Sequence, residues 1–308
     1  MTIPVIHDHD GSVDDLLSLS LLLLDQNINL KAVTITPADC YFKNAYETTR
    51  KLLFKAGKEH IPVGEGIYHG INAFPADWRA KPKILNALPQ LINEDTGVLE
   101  AVPEAHLLMA EQLAMSAEKV TVLLTGPCTN LVKALALDLG LCSKIEQVIW
   151  MAGAFDVRGN VATYNHDGSA EWNVFWDPVS ATQLMDYPLS ITFVPLDVTN
   201  HVPVTLDFLK KLAQQAQHPW SNLAAQFWAT TLDTIPAYEY IYFMWDVLAT
   251  SLLSIPEAFE LEEVKVKIAA TGSAAGKTSI SDTGQPARIA RSVQLDYFYD
   301  YVLSTFRQ

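Results

Sequence analysis

Short apolar runs alternate with helix-like segments along the first two thirds of the chain, and this alternation constrains the fold more than any other feature. Six mostly apolar runs predict strands at residues 2–8, 30–37, 60–66, 119–126, 144–153 and 189–197. Helix-like segments lie between them at residues 16–26, 43–57, 104–118, 129–140 and 178–186. Strands that alternate with helices through short connections are typical of a mostly parallel sheet flanked by helices. The sequence therefore predicts an α/β fold.

The chain is predicted to form a single domain, residues 1–308, around one mostly parallel central β-sheet. No Pro/Ser-rich linker, internal repeat or low-complexity tract divides it. Hydrophobic residues make up 49% of the composition, which is enough for a large core. Residues 71–100 and 200–243 are the longest stretches without a clear pattern, and the second is rich in aromatic residues.

The charge balance excludes two classes of partner. The formal net charge of −14 argues against nucleic acid and against an anionic membrane surface, because both attract basic patches. The apolar run at residues 16–24 is too short to span a bilayer. Cys40, Cys128 and Cys142 lack the spacing of a metal site and are typical of free thiols in a reducing compartment. We therefore expect a cytoplasmic protein.

Four acidic residues are crowded into eight positions at the end of the first predicted strand and just after it. They are Asp8, Asp10, Asp14 and Asp15. Neighbouring carboxylates repel each other, and burying them unpaired is costly, so we expect a cation between them. Asp14 and Asp15 could instead cap the following helix, but capping accounts for at most two of the four acids. An oxygen-rich cluster of this kind suits Ca²⁺ or Mg²⁺.

Other polar residues follow neighbouring predicted strands. In parallel sheets, ligands bind beyond the carboxyl ends of the strands. The residues expected at that edge, in addition to Asp8 and Asp10, are Asp39, Thr125, the stretch after Gly153, and Asp197.

The acidic segment resembles two enzyme families. DHDGS matches the D-x-D-G-[TS] pattern of haloacid dehalogenase-like phosphatases, in which Asp8 would be the nucleophile and Mg²⁺ the metal. DHDGSVDD also matches the D-x-D-x-x-x-D-D pattern of nucleoside hydrolases, in which we expect Asp8 only to orient the loop. The pair Asp14 and Asp15 favours the second family, since the phosphatases have no use for it. A binding protein that has kept this fold but lost turnover is a further alternative.

Later blocks strengthen the resemblance to nucleoside hydrolases. In the family's order, they are LLTGPCTNL (123–131), MAGAFDVRGNV (151–161), AEWNVFWDP (170–178) and WD (245–246). Further segments resemble the purine-specific, inosine-adenosine-guanosine-preferring subgroup, namely DHDG (8–11), TPADCY (36–41), AFPADWR (73–79), DVRGN (156–160) and the tryptophan of MWD (244–246). The resemblance implies the nucleoside hydrolase fold, with a Rossmann-like core, and release of free base and ribose from purine nucleosides. A nucleoside hydrolase with broad or pyrimidine preference is the alternative.

The resemblance also implies a metal site. Its ligands would be the carboxylates of Asp10, Asp15 and Asp246 and the main-chain carbonyl of Thr125, with Ca²⁺ as the metal. Asp10 would take a proton from the attacking water, and Asp14 would hold a ribose hydroxyl.

The sugar and the base have their own implied contacts. Asn160, Glu171 and Asn173 match the family's ribose-binding positions, and Met151 matches the residue beneath the sugar. Trp78 and Trp245 are expected to stack on the two faces of the purine. The remaining predicted base contacts are Asp39 and Trp172.

Two departures from the subgroup pattern affect these expectations. Ser12 replaces the asparagine of the purine-specific pattern, so contacts at that position can differ. The segment AYEYIYFM (237–244) contains no arginine, although it offers Tyr238, Tyr240 and Tyr242. The resemblance further implies a homodimer or homotetramer that takes part in nucleoside salvage.

Overall fold

Nine strands among the described residues form one central sheet. The computed structural model describes residues 2–94, 96, 101–231 and 242–308. The strands are β1 (Ile3–His9), β2 (Ile28–Ile35), β3 (Val63–Glu65), β4 (Val120–Leu124), β5 (Ile145–Trp150), β6 (Ile191–Phe193), β7 (Phe259–Ile268), β8 (Thr278–Ile280) and β9 (Gln285–Val293). Their order across the sheet is β3-β2-β1-β4-β5-β6-β9-β7-β8.

The sheet is mostly parallel, which confirms the predicted fold class. Strands β1 to β6 and β9 pair in parallel, whereas β7 is antiparallel to both of its neighbours, β9 and β8. All six predicted strands are present, although β3 and β6 are shorter than predicted. The predicted strand at residues 189–197 is wrong at its carboxyl end, because residues 196–199 form a helix after Pro195. Proline cannot donate to a ladder, which ends the strand there.

Helices cover both faces of the sheet. They are α1 (Val13–Leu24), α2 (Phe42–Lys55), α3 (Lys81–Asn86), α4 (Ala105–Met115), α5 (Thr129–Leu137), α6 (Trp172–Trp176), α7 (Pro178–Asp186), α8 (Leu196–Thr199), α9 (Leu206–Gln214), α10 (Pro219–Ala229), α11 (Trp245–Ser251) and α12 (Leu295–Thr305). One apolar cluster contains side chains of α1, α2 and α9 to α12, and a second contains side chains of α4, α5 and α7. Alternate residues of β1 enter the two clusters, since Val5 belongs to the first and Ile6 to the second.

The chain reverses its direction of travel across the sheet at β1. Strands β2 and β3 are added on one side of β1, and β4, β5 and β6 on the other. Loops that follow β1 and β4 therefore diverge above the carboxyl end of the sheet and leave a crevice between them. None of the described helices is long and apolar enough to cross a membrane. The three cysteines are free and buried.

Candidate active site

A cavity of about 560 Å³ lies above the carboxyl ends of β1, β2, β4 and β5. Its volume falls in the range typical of sites for small molecules. All of the predicted site residues except Asp15 line this cavity, namely Asp10, Asp14, Asp39, Trp78, Thr125, Met151, Asn160, Glu171, Trp172, Asn173, Trp245 and Asp246. The fold thus brings together residues that are up to 236 positions apart in the sequence.

Asp14 is held at the start of α1 by donors from three places in the chain. Its Oδ1 accepts hydrogen bonds from the Ser12 hydroxyl at 2.6 Å and from the Tyr242 hydroxyl at 2.7 Å. Its Oδ2 accepts from the backbone N–H of Asp246 at 3.2 Å. Ser12 is also the N-cap of α1, and it forms a capping box with Asp15. The capping predicted for Asp14 and Asp15 is therefore performed by Ser12, together with Asp15.

Asp15 lies just behind the cavity wall and connects β1, β4 and α1. Its Oδ2 accepts from the backbone N–H of Ser12 at 2.8 Å, and its Oδ1 accepts from the Thr125 hydroxyl at 2.5 Å. The same hydroxyl lies 2.9 Å from Nε2 of His7. Because the hydroxyl donates to the carboxylate, it accepts from the neutral imidazole. Asp15 is thereby fixed beside the main-chain carbonyl of Thr125.

The carboxyl groups of this cluster raise one another's pKa values. Burial raises the pKa of Asp10, and the charges of Asp15 and Asp39 raise it further. Burial also raises the pKa of Asp246, with added contributions from Asp14, Asp15 and Asp10. The pKa of Asp15 rises to about 6, again mainly through burial. So much negative charge in a buried cluster is destabilising unless positive charge offsets it.

The donor set fits a hard cation in its chemistry. As they stand, no three His, Cys, Asp or Glu side chains in the described part of the chain are arranged to hold a metal ion. The cluster nevertheless offers only oxygen donors, and the carboxylates of Asp10, Asp15 and Asp246 are all at most 5% exposed. Buried, mutually repelling carboxylates of this kind suit Ca²⁺ or Mg²⁺, which take oxygen ligands. The residues present therefore fit the predicted class of metal.

Asp8 is not part of the cavity lining, and its carboxylate is held in structural contacts. Its Oδ1 accepts hydrogen bonds from the Thr34 hydroxyl at 2.9 Å and from the Asn130 amide at 3.0 Å. Asn130 also donates to the Thr36 hydroxyl at 2.9 Å. Asp8 is only 1% exposed, and it is absent from the cavity lining. This position is unsuitable for the nucleophile that the phosphatase alternative requires.

The polar residues predicted for the ribose lie at one side of the cavity. Asn173 donates through its amide to the main-chain oxygens of Thr125 at 3.1 Å and Met151 at 3.0 Å, so it can offer an incoming hydroxyl only its oxygen. Asn160 accepts from the backbone N–H of Trp172 at 3.0 Å, which leaves its amide group as the donor. The two amides therefore present opposite hydrogen-bonding groups to the cavity.

Glu171 is the N-cap of α6 and is buried. Its carboxylate accepts from the backbone N–H groups of Asn173 at 2.8 Å, Gly153 at 3.2 Å and Val174 at 3.4 Å. Burial raises the pKa of Glu171 to about 7, although these hydrogen bonds act in the opposite direction. The group can therefore change charge near neutral pH.

Aromatic side chains form two clusters in the cavity wall. Trp78 contacts Trp172 and Phe74 edge-on, with ring centroids 5.6 and 6.2 Å apart. Trp245 packs against Tyr242, with ring centroids 4.8 Å apart. Among the described residues, the buried indole N–H groups of Trp172 and Trp245 have no hydrogen-bond partner.

Asp39 lies between the acidic cluster and the aromatic wall. Its backbone N–H donates to Oδ2 of Asp10 at 3.3 Å. Burial raises the pKa of its carboxyl group, whereas the Arg79 guanidinium lowers it. Its Oδ1 is buried and has no hydrogen-bond partner among the described residues. Asp39 lines the cavity, so its carboxyl group is placed near a ligand bound there.

Several cavity residues had no predicted role, and one residue that was predicted at the carboxyl edge of the sheet lies elsewhere. Phe74, Lys81 and Arg158 line the cavity, although Phe74 and Arg158 belong to segments that carry the family resemblance. The prediction that Asp197 lies at the ligand-binding edge of the sheet is wrong. Asp197 lies in α8, and its carboxylate accepts hydrogen bonds from the backbone N–H groups of Phe155 and Asp156 at 2.9 and 2.7 Å. It holds the loop after β5 and does not line the cavity.

Ser12 and the tyrosine-rich segment can now be placed. Ser12 lines the cavity and bonds to Asp14, so the serine at this position substitutes a short hydroxyl for a longer amide. Tyr242 also bonds to Asp14. Tyr238 and Tyr240, the other tyrosines of the arginine-free segment, lie outside the described residues.

The family match is decisive. A family model described as "Inosine-uridine preferring nucleoside hydrolase" matches residues 5–300. The chain belongs to this nucleoside hydrolase family. A crystal structure of inosine-uridine preferring nucleoside hydrolase from Bacillus anthracis is 34% identical and covers 99% of each chain, with a TM-score of 0.93.

Curated relatives agree with this family assignment. "Probable uridine nucleosidase 2" from Arabidopsis thaliana is 26% identical over 287 residues, which cover 89% of this chain and 84% of the relative. "Pyrimidine-specific ribonucleoside hydrolase RihA" from Photobacterium profundum is 27% identical and covers 78% of this chain and 73% of its own. The predicted resemblance to nucleoside hydrolases is confirmed, and the phosphatase alternative is wrong. The chain is thus an enzyme that hydrolyses nucleosides.

Proposed function

We propose that this nucleoside hydrolase cleaves the N-glycosidic bond of purine ribonucleosides and releases free base and ribose. The observation that carries the purine preference is the aromatic lining of the cavity, in which Trp78 and Trp245 belong to two separate clusters of rings. Stacking on an aromatic side chain contributes about 1–3 kcal/mol per base, and a two-ring purine offers more area than a pyrimidine. The names of the relatives include both uridine and inosine, so the purine preference proposed for this chain rests on these aromatic residues.

The acidic cluster supplies the hydrolytic part of the reaction. Asp10 is the general base that takes a proton from the attacking water, because its carboxylate lines the cavity within the acidic cluster. Asp10, Asp15, Asp246 and the main-chain oxygen of Thr125 would hold Ca²⁺. When bound, such an ion lowers the pKa of a water molecule and provides ligand positions for the ribose diol.

The sugar is oriented by groups with complementary hydrogen-bonding character. Asp14 and Glu171 accept hydrogen bonds from ribose hydroxyls, and Asn173 adds a third acceptor, whereas Asn160 donates. Met151 lies beneath the sugar. Such fixed contacts hold the anomeric carbon in place while positive charge develops on the ring.

The base departs from the aromatic side of the cavity. Electron-rich indole faces at Trp78 and Trp245 favour protonation of the purine at N7, so that it leaves as a neutral molecule. Asp39 and the free indole N–H of Trp172 offer an acceptor and a donor to the base edge. We further propose that the enzyme acts in purine salvage in the cytoplasm, as a homodimer or homotetramer.

A reducing-sugar assay across inosine, adenosine, guanosine, uridine and cytidine tests this proposal. We expect kcat/KM for the best purine nucleoside to exceed that for either pyrimidine nucleoside at least tenfold. The Asp10→Asn variant should lose at least about 100-fold in kcat, the lower end of the usual range for a general base. Asp282→Asn, which changes an exposed turn residue, is the control and should match the wild type.

Each part of the proposal has its own contrary result. Uridine turnover equal to that of the purine nucleosides would contradict the purine preference alone. Full activity after chelation and dialysis would contradict the metal requirement, and restoration by Mg²⁺ but not by Ca²⁺ would contradict the choice of calcium. Undiminished kcat in Asp10→Asn would remove Asp10 from its role as the base.

A further inference from the structure

Trp78 stands on a part of the chain that has no regular secondary structure. It lies between β3 and α3, where the local contacts are the turn bonds from the backbone N–H of Trp78 to Pro75 and from that of Lys81 to Trp78, both 3.1 Å. Trp78 is 38% exposed, and its indole ring contacts the rings of Phe74 and Trp172 edge-on. An indole that stacks on the base from such a segment needs further contacts that fix the position of the segment.

The next residue, Arg79, provides that anchor. Its Nη2 donates to the main-chain oxygens of Pro37 at 3.1 Å and Cys40 at 3.0 Å, and its Nε lies 3.3 Å from the same Cys40 oxygen. The backbone N–H of Tyr41 donates back to the main-chain oxygen of Arg79 at 3.1 Å. The guanidinium also lies over the Tyr41 ring, 4.6 Å from its centroid. Side chain and backbone of Arg79 thus both hold the segment at residues 37–41.

This segment is itself part of the cavity. It contains Asp39, whose backbone N–H bonds to Asp10. The planar, forked guanidinium of Arg79 therefore connects the segment that carries Trp78 to the segment that contacts Asp10. A planar fork that bonds to two carbonyls fixes orientation better than a single ammonium group can.

We propose that Arg79 is a positioning residue that holds Trp78 in its base-stacking position before substrate binds. This inference deepens the proposed purine specificity and rests on it. Ordering a loose side chain on binding costs conformational entropy, so an anchor formed beforehand strengthens binding of the base. Arg79 acts through Trp78 and does not touch the reacting atoms.

Steady-state kinetics with inosine test the proposal in four variants. These are Arg79→Met, Arg79→Lys, Trp78→Ala and the double variant Arg79→Met/Trp78→Ala. We expect Arg79→Met to raise KM about tenfold and to change kcat by less than threefold. Arg79→Lys keeps the charge but not the fork, so its KM should stay at least fivefold above that of the wild type.

The double variant decides whether Arg79 acts through Trp78. If it does, removing Arg79 adds nothing once the indole is gone, and the KM of the double variant should equal that of Trp78→Ala within twofold. Multiplicative effects of the two substitutions would overturn the proposal. A wild-type KM in Arg79→Met, or full rescue by lysine, would overturn it as well.

Acrylamide quenching of tryptophan fluorescence gives a second readout, which needs no substrate. The chain has seven tryptophans. Trp78 is the most exposed of them, since Trp220 is only 8% exposed and Trp245 is half-buried. Arg79→Met should increase the quenching constant in the wild-type background and leave it unchanged in the Trp78→Ala background. An unchanged constant in both backgrounds would overturn the anchor itself, whichever nucleoside the enzyme prefers.

Discussion

Gly126 offers the sharpest test of how the acidic cluster is placed. It follows Thr125 at the end of β4, and an ideal Cβ added to it would lie 2.8 Å from Cβ of Asp10 and 3.1 Å from Cγ. Ordinary contact begins at 3.4 Å, so Gly126→Ala must displace Asp10, or residue 126 itself, by about 0.6 Å. Residue 126 is buried in the packing of the sheet, so the shift falls on Asp10, which borders the cavity and can move only away from its place in the acidic cluster.

The expected loss is larger in catalysis than in stability. Overpacking of this kind costs typically about 1–3 kcal/mol of folding free energy, whereas a misplacement of about 1 Å in a catalytic group can cost about 100-fold in rate. We therefore expect Gly126→Ala to lower kcat for inosine by about 10- to 100-fold. The assay is reducing-sugar release with saturating substrate, together with thermal unfolding of the same samples.

Gly64→Ala is a matched control for this prediction. Its added Cβ would meet Cα of Ala105 at 2.9 Å and a methyl group of Leu108 at 3.1 Å, so the crowding is similar, but the contacts are in the packing of β3 against α4. We expect a similar loss of stability with kcat within threefold of the wild type. If Gly126→Ala keeps wild-type kcat, or if both variants lose activity equally, close packing against Asp10 is not what controls the rate.

Two further predictions address the base platform and the titration of the sugar site. Trp245→Ala should lower kcat/KM for inosine by about 5- to 150-fold, the equivalent of about 1–3 kcal/mol of stacking, and an unchanged value would exclude Trp245 as a platform. Glu171 should make the protein less stable as pH rises from 4.5 to 7, because its carboxyl group binds a proton more tightly in the folded state, with a pKa of about 7 against the ordinary 4.5. This pKa difference corresponds to about 3 kcal/mol of unfolding free energy. Urea unfolding between pH 5 and pH 8 should therefore show a smaller loss of unfolding free energy in Glu171→Gln than in the wild type. An identical dependence of unfolding free energy on pH in the two proteins would contradict the shifted pKa.

The sequence predicted β1 to β6 because each of these parallel strands contains a mostly apolar run. It assigned no strand beyond residue 197, and β7 shows why. The residues Phe259–Ile268 alternate between apolar and charged side chains, and most of them are exposed. An antiparallel strand with one solvated face lacks the continuous run that marks a buried parallel strand. The sequence signal for β7 is the alternation of apolar and charged residues, which is a weaker indication of a strand than a continuous apolar run.

The site residues were predictable where a motif is local, but their contacts were not. The crowding of Asp10, Asp14 and Asp15 is visible within eight positions. The hydrogen bond from Tyr242 to Asp14 spans 228 positions, and that between Arg79 and Pro37 spans 42, so both depend on how distant loops pack. The cap formed by Ser12 was not predicted, although a serine three residues before an acid is a local sequence pattern that could have indicated it.

The topology explains why the acids follow the first strand. The chain moves outward from β1 to β2 and β3, then returns to the other side of β1 with β4, so the crevice opens between the first and fourth strands. Residues just after β1 therefore face the crevice from one side, and Thr125, just after β4, faces it from the other. A hydrogen bond from the backbone N–H of Thr125 to the main-chain oxygen of Asp8 joins the two ends at 2.9 Å. Carboxylates elsewhere along the strands would be buried within the helix-covered layers, whereas at this one edge they can meet a cation and a nucleoside together.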